Sequence, residues 1–349
     1  MGCGPDDTPD KLDGEPTPLE LAYPLTLGTP KFLTEDNPLT VEGVDLGRHL
    51  FYDKLLSRDG TISCASCHQQ QFAFSDNKAF AKGIDNQLTS RSSMSLANLS
   101  YQSDYFWDGR VKTLEEQSLH PIQDAKEMDL ELPELINRLN DSKLYTDKFN
   151  LAFPGEKISD KLIGKALAQF EATLVSGNSR YDKTQLGQIQ ATDQEKRGKD
   201  LFFTHPEPSL NLRGGNCGDC HSGFLTYSRE FSNNGLDENP EDFGLENVTG
   251  DVEDRAKFKI PSLRNIALTA PYMHDGRFEN LAEVLDHYNE HIKSSPTLDP
   301  QIPAASNDLN GTSLGLTDQE KEDIIAFLKT LTDDAFITNP AHSNPFINE

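Results

Sequence analysis

The sequence predicts a mostly α-helical protein made of two similar units with long irregular loops. Three observations carry that prediction: a Cys-x-x-Cys-His motif that occurs twice, a second block that repeats at a constant offset, and helix-start signals followed by apolar residues of helical period. The motifs are Cys64-Ala65-Ser66-Cys67-His68 and Cys217-Gly218-Asp219-Cys220-His221, separated by 153 residues. Leu46-Gly47-Arg48-His49-Leu50-Phe51 precedes the first, and Arg197-Gly198-Lys199-Asp200-Leu201-Phe202 precedes the second. Downstream, Ser95-Leu96-Ala97-Asn98 leads to Asp108-Gly109-Arg110 and Leu114. Ser262-Leu263-Arg264-Asn265 leads in the same way to Asp275-Gly276-Arg277 and Leu281, every pair offset by 167. An ungapped match of that length reads as an internal duplication.

The helices follow from their start signals. Thr113 with Glu116, Thr192 with Glu195 and Thr317 with Glu320 form capping boxes, in which hydroxyl and carboxylate satisfy reciprocal backbone amides. Asn280 with Glu283 opens another helix, which places Leu281, Leu285 and Tyr288 on one face and His287 about 100° round, toward the surface. Ile324, Ile325, Phe327, Leu328 and Leu331 supply one apolar face, and Leu162, Ile163, Ala166, Leu167, Phe170 and Leu174 another. Residues 203–216 and 229–255 are rich in Gly, Pro and Asp, the long loops expected where a cofactor replaces part of a core.

At 349 residues the chain is long for one core and comfortable for two. The expected parts are an acidic, Pro-rich tether over 1–24, a first domain over 25–185, a second over 186–338 and a tail over 339–349. No apolar run approaches the roughly 20 residues that a membrane-spanning helix needs. A formal charge of −25 excludes nucleic acid, whose phosphates reward the opposite sign, and suits the steering of a basic redox partner. Four of the five cysteines belong to the two motifs. The fifth, Cys3, lies in Met1-Gly2-Cys3-Gly4 ahead of an acidic stretch, which resembles the processed junction of a bacterial lipoprotein. That trace, with no intact signal peptide, predicts a lipid anchor and a periplasmic or outer-surface location.

Two thiols at Cys-x-x-Cys spacing reach both vinyl groups of a haem while the adjacent imidazole lies beneath the iron. The motifs therefore predict two covalently bound haem c groups, with His68 and His221 as proximal ligands, in two cytochrome-c-like domains. Two Cys-x-x-Cys pairs also suit one zinc site of four thiolates, but a histidine directly after each pair argues against it. Function turns on the sixth ligand, because a saturated haem transfers electrons whereas an open one binds peroxide. Met273, His274, His287 and Tyr288 are candidates in the second half. Between residues 69 and 119 the first half offers only Met94, so its haem is expected to be open.

With Phe106-Trp107-Asp108-Gly109-Arg110, and with Ile260-Pro261-Ser262-Leu263-Arg264-Asn265 running into Ala270-Pro271-Tyr272-Met273-His274-Asp275-Gly276, residues 40–335 resemble a known family. It is that of the bacterial di-haem cytochrome c peroxidases and their siblings of the MauG type, which oxidise tryptophan in a partner protein. The resemblance implies that the first haem is the peroxide site, that the second passes electrons, and that Trp107 bridges them. Glu127 matches the family's distal glutamate, and Gln117 matches its companion glutamine. A carboxylate there can take the proton from the near peroxide oxygen and deliver it to the far one, making water the leaving group. Read without the resemblance, Glu127 in Lys126-Glu127-Met128-Asp129 is a surface charge.

Two departures from the family pattern matter. Conventional members cap the first haem with a loop histidine, whose matching position here is near Ile84, in Lys82-Gly83-Ile84-Asp85, and isoleucine cannot bind iron. At the second iron the conventional methionine aligns with Tyr288, whose phenolate would lower the potential and favour a higher oxidation state, with Met273 as the rival ligand. The family also carries calcium between the domains, held by carbonyls matching Thr269 and Pro271, although its asparagine ligand is replaced by Ser92. The resemblance thus implies a hydrogen-peroxide-dependent oxidoreductase. Its electrons come from a small redox protein, or from a partner protein as in the MauG type, which Ile84 and Tyr288 favour. An electron carrier with two saturated haems is the alternative from another class.

Overall fold

The computed structural model describes residues 14–30, 36–223 and 231–348. Cys3, and with it the lipid-anchor reading, lies outside the described residues. The helices that shape the first half are α1 (Val41–Tyr52), α2 (Cys64–Cys67), α3 (Leu114–Gln117), α4 (Leu132–Asp141), α5 (Lys143–Ala152) and α6 (Asp160–Ala172). Those of the second half are α7 (Asp193–Phe203), α8 (Leu281–Glu290) and α9 (Asp318–Lys329). The expected start signals are in place. Thr192 and Thr317 form full capping boxes with Glu195 and Glu320, while Thr113 and Asn280 accept from the backbone N–H of Glu116 and Glu283. One two-stranded antiparallel sheet occurs among the described residues, β1 (Phe231–Ser232) with β2 (Phe258–Lys259), with Phe231 opposite Lys259. The fold is therefore mostly helical.

Each half is built on one helix crossing. In the first, Leu46, Leu50 and Phe51 of α1 pack on Ile163, Ala166, Leu167 and Phe170 of α6, all buried, with the Phe51 and Phe170 rings 5.2 Å apart. In the second, Phe202 of α7 packs on Phe327 of α9 at 5.2 Å, beside Ile324, Leu328, Leu281 and Leu285. Both crossings are closest at a glycine that the sequence repeats. A Cβ on Gly47 would lie 1.9 Å from Ala166 O, and one on Gly198 would lie 1.8 Å from Asp323 O. Gly47→Ala and Gly198→Ala should each destabilise the protein by about 1–3 kcal/mol or more, because the added methyl meets backbone rather than a movable side chain. Thermal unfolding checks this, and an unchanged midpoint would mean that the helices separate freely.

The repeated blocks also share their local form. Asn98 and Asn265 both adopt left-handed backbone, φ 64° and 62°, and their N–H groups donate to Leu174 O (2.8 Å) and Leu331 O (3.0 Å), each two residues past its helix. Tyr105 pairs with Val111, and Tyr272 with Phe278, across the two turns that carry Trp107 and His274. The same asparagines grip the segment joining the halves. Asn98 Nδ2 donates to Ser176 O (3.0 Å) and Asn265 Nδ2 to Ser176 Oγ (2.9 Å). The end of the chain returns to the first half, where Arg48 Nε donates to Ser343 O (2.6 Å) and Tyr52 Oη to His342 O (2.7 Å). Among the described residues no helix is long and apolar enough to cross a membrane.

Candidate functional site

The attachment motifs take one form twice. Ser63 caps the single turn of α2, and the N–H of His68 donates to Cys64 O at 2.9 Å, folding the histidine back against the cysteines. The N–H of His221 donates to Cys217 O in the same way at 2.8 Å. Nδ1 of His68 bonds Phe74 O at 2.8 Å, which fixes the orientation of the ring. Burial holds the His68 ring below its usual pKa and raises the thiols of Cys64, Cys67 and Cys217, and none of the four thiols forms a disulfide. Cys67 and His68 border one cleft, and Cys217, Cys220 and His221 border another. A haem c fits this donor set, a cysteine pair followed by an imidazole beside an open cleft in each half.

Glu127 and Gln117 border the first cleft together with His68. The Glu127 side chain is half-buried, and burial, with a smaller push from the Asp124 charge, raises its pKa to about 7 against the opposing pull of Arg110. Gln117 Oε1 is a buried acceptor with no hydrogen-bond donor among the described residues, suited to an O–H on a bound molecule. The cleft wall is shared between the halves. Arg91 makes a two-pronged bond to Asp242 (2.7 and 2.9 Å) and reaches Asp108 at 2.6 Å, while Arg110 lies 3.6 Å over the Phe106 ring and pairs with Asp108 at 2.9 Å. Ile84 is 2% exposed and stands outside the cleft lining.

Trp107 borders both clefts. Its Nε1 donates to Ser92 O at 2.9 Å. Ser92 in turn donates from N to His274 O (2.7 Å) and from Oγ to Met273 O (2.8 Å), so one serine ties the tryptophan turn to its counterpart in the second half. Met94, Gln102 and Lys259 also border both clefts, and Lys259 Nζ donates to Asp104 O. Sequence reasoning did not single out Gln102 or Lys259, whose place depends on both halves closing around them. It passed over Arg110 as a functional residue, although the repeated Asp-Gly-Arg block marked it.

In the second cleft Tyr288 joins Leu281, Val284 and Leu285 on the inward face of α8, as its helical position predicts. Both rival ligands meet one side chain. Asn234 Nδ2 lies 3.3 Å from Met273 Sδ and 3.3 Å from the Tyr288 hydroxyl. Burial pushes the Tyr288 phenol up to about 12, against the Asn234 hydrogen bond. His287 corrects the expectation of a surface position. It is buried because the 233–236 segment folds over it, with Nε2 bonded to Asn234 O at 3.0 Å and the Phe278 ring 5.4 Å away. His274 is buried too, stacked on Phe258 at 3.8 Å. Thr269 and Pro271 border the second cleft beside Ser92, whose hydroxyl is committed to Met273 O.

Comparison with known proteins follows the same lines. Residues 41–190 match the family model of the di-haem cytochrome c peroxidases. The methylamine utilization protein MauG of Methylophilus methylotrophus is 33% identical over 84% of this chain and 84% of its own length. The cytochrome c551 peroxidase of Nitrosomonas europaea is likewise 33% identical, over 85% of this chain and 82% of its own. Among solved structures, a MauG-like protein associated with microbial copper homeostasis is 37% identical, with a TM-score of 0.81 over 94% of this chain and 99% of that one.

Proposed function

We infer the function from one premise: this chain belongs to the di-haem cytochrome c peroxidase family, whose members include the MauG proteins, and it is an oxidoreductase of that family with two haem c groups as cofactors. In our reading Cys64, Cys67 and His68 hold the first haem, and Cys217, Cys220 and His221 the second, in two domains descended from one duplicated unit. When bound, the haems supply the electron chemistry, two-electron reduction of peroxide at the first and one-electron exchange at the second. The observation that carries the proposal is the convergence of His68, Glu127 and Gln117 on one cleft, bordered by a tryptophan that also borders the other.

The chain's own part is proton handling and orientation. The Glu127 carboxylate accepts a proton from one peroxide oxygen and returns it to the other, so that water departs rather than hydroxide. Gln117 Oε1 orients the peroxide by accepting its remaining O–H. Ile84, buried outside the cleft, offers no iron-binding group and would leave the peroxide side of the first haem uncapped. Trp107 would couple the two sites, and Tyr288 would help hold the second haem.

Tyr288 and Ile84 favour oxidation of a partner protein over the conventional peroxidase cycle with a small redox donor. The 37% identical solved structure, a MauG-like protein associated with microbial copper homeostasis, supports the MauG-like side of this choice. The charge of −25 favours a basic docking face on it, and export to the periplasm agrees with covalent haem attachment. The proton role sets a pH test. A carboxyl raised to about 7 gains its base form as pH rises through that value, so the single-turnover rate with peroxide should climb through pH 7 and level above it. A rate that is flat from pH 5 to pH 9 would remove the Glu127 proton from the rate-setting step.

A further inference from the structure

We propose that the turn at residues 82–88 is a fixed buttress for Glu127, and that Gly83 is a positioning residue for the peroxide step; the inference rests on the assignment of Glu127 above.

The turn is self-contained and tight. Gly83 N donates to Gln87 O (2.9 Å), Gln87 N to Ile84 O (3.0 Å), and Lys82 pairs with Leu88. Its back lies directly on the segment that carries Glu127. The N–H of Ile84 donates to Glu127 O at 2.9 Å, and the buried Ile84 side chain anchors the turn. Arg58 braces both segments from outside, with Nη2 on Asp85 (2.5 Å), Nε on Asp129 (3.0 Å) and its backbone N–H on Met128 O (2.9 Å).

Gly83 is where the two backbones come closest. A Cβ there would lie 2.0 Å from Lys126 O, 2.6 Å from Glu127 O and 2.7 Å from Glu127 Cα. The backbone of Gly83, at φ −81° and ψ −165°, is extended, a region open to every residue, so space and not conformational freedom demands glycine. A methyl group at this point must drive the 126–127 backbone away by about 1 Å or more to reach an ordinary C···O distance. The carboxyl of Glu127 would move with it. Because the other face of the 124–130 turn is closed by Met128 N on Pro121 O (3.1 Å) and Leu130 N on Ile122 O (2.7 Å), the displacement is directed at Glu127 and not absorbed elsewhere.

A role that acts through Glu127 differs from a merely structural one in a double-mutant cycle. The fully haem-loaded proteins G83A, E127Q and G83A/E127Q are mixed with peroxide, and the single-turnover rate of the resting ferric protein is followed. G83A alone should slow the step by about 10²-fold, the cost of misplacing a reacting group by an ångström. Added to E127Q it should change the rate by less than about twofold, since a positioning residue has nothing left to position. If G83A lacks a full haem complement, I84A takes its place in the same cycle. It keeps the backbone contacts and empties the buried anchor, with a slowing of about tenfold expected in the parent and again under twofold in E127Q. Equal slowing in the parent and in E127Q, or a rate within twofold of the parent for the single variant, overturns the inference alone. An E127Q rate equal to that of the parent overturns the assignment of Glu127 and the inference with it.

Discussion

Replacing Glu127 by glutamine should slow the reaction of the resting protein with peroxide by about 10² to 10⁴-fold, the usual worth of a positioned acid–base group. The substitution keeps volume and hydrogen-bonding shape and removes the ability to accept a proton, so the loss measures proton transfer rather than packing. Three features of the site raise the expected loss toward the upper end. The carboxyl is held near pH 7 by burial and by Asp124, which matches its basicity to working pH. Gln117, the neighbouring acceptor, is an amide and cannot take over as a base. Asp108, which also borders the cleft, is committed to Arg91 and Arg110, at 2.6 and 2.9 Å. Stopped-flow mixing of the ferric protein with peroxide gives the rate directly, and an unchanged rate removes Glu127 from the chemistry.

The second large effect is expected at Tyr288. A phenolate stabilises ferric iron whereas a thioether favours the ferrous form, and axial ligands spread haem potentials over roughly 0.8 V. Tyr288→Met should raise the potential of the His221 haem on the order of 0.1 V or more, worth about 2.3 kcal/mol per 100 mV for one electron. The side chain has room to serve, since methionine would occupy the place from which the Tyr288 hydroxyl meets Asn234 Nδ2. Spectroelectrochemical titration of the two haems reads the shift. A potential unmoved by Tyr288→Met and moved by Met273→Leu would hand the ligand role to Met273, and with it the conventional peroxidase reading.

Much of this molecule was legible because its strongest signals are local. The capping residues Thr192, Thr317 and Asn280 and the apolar faces of α6 and α9 each depend on residues within a few positions, and each took the predicted form. The repeated block was readable for the same reason, and its asparagines adopt matching left-handed backbone. What the sequence hid is what distant segments do to one another. His287 looked exposed on its helix because the 233–236 segment that covers it lies some fifty positions away in the chain. Glu127 looks like a surface charge in its local context. Its raised pKa comes from burial in the folded protein, so only the family resemblance pointed to it. Arg91 reaches Asp242 across 151 positions, and Gly83 owes its lack of a side chain to backbone more than forty positions on. No local pattern announces either.

The most direct test of the central claim is electron paramagnetic resonance of the resting, fully haem-loaded ferric protein before and after one equivalent of hydrogen peroxide. An open first haem beside Glu127 and a closed second haem predict one high-spin and one low-spin ferric signal, both lost on addition of peroxide without prior reduction. Two low-spin signals that persist in peroxide would contradict it and leave the chain an electron carrier.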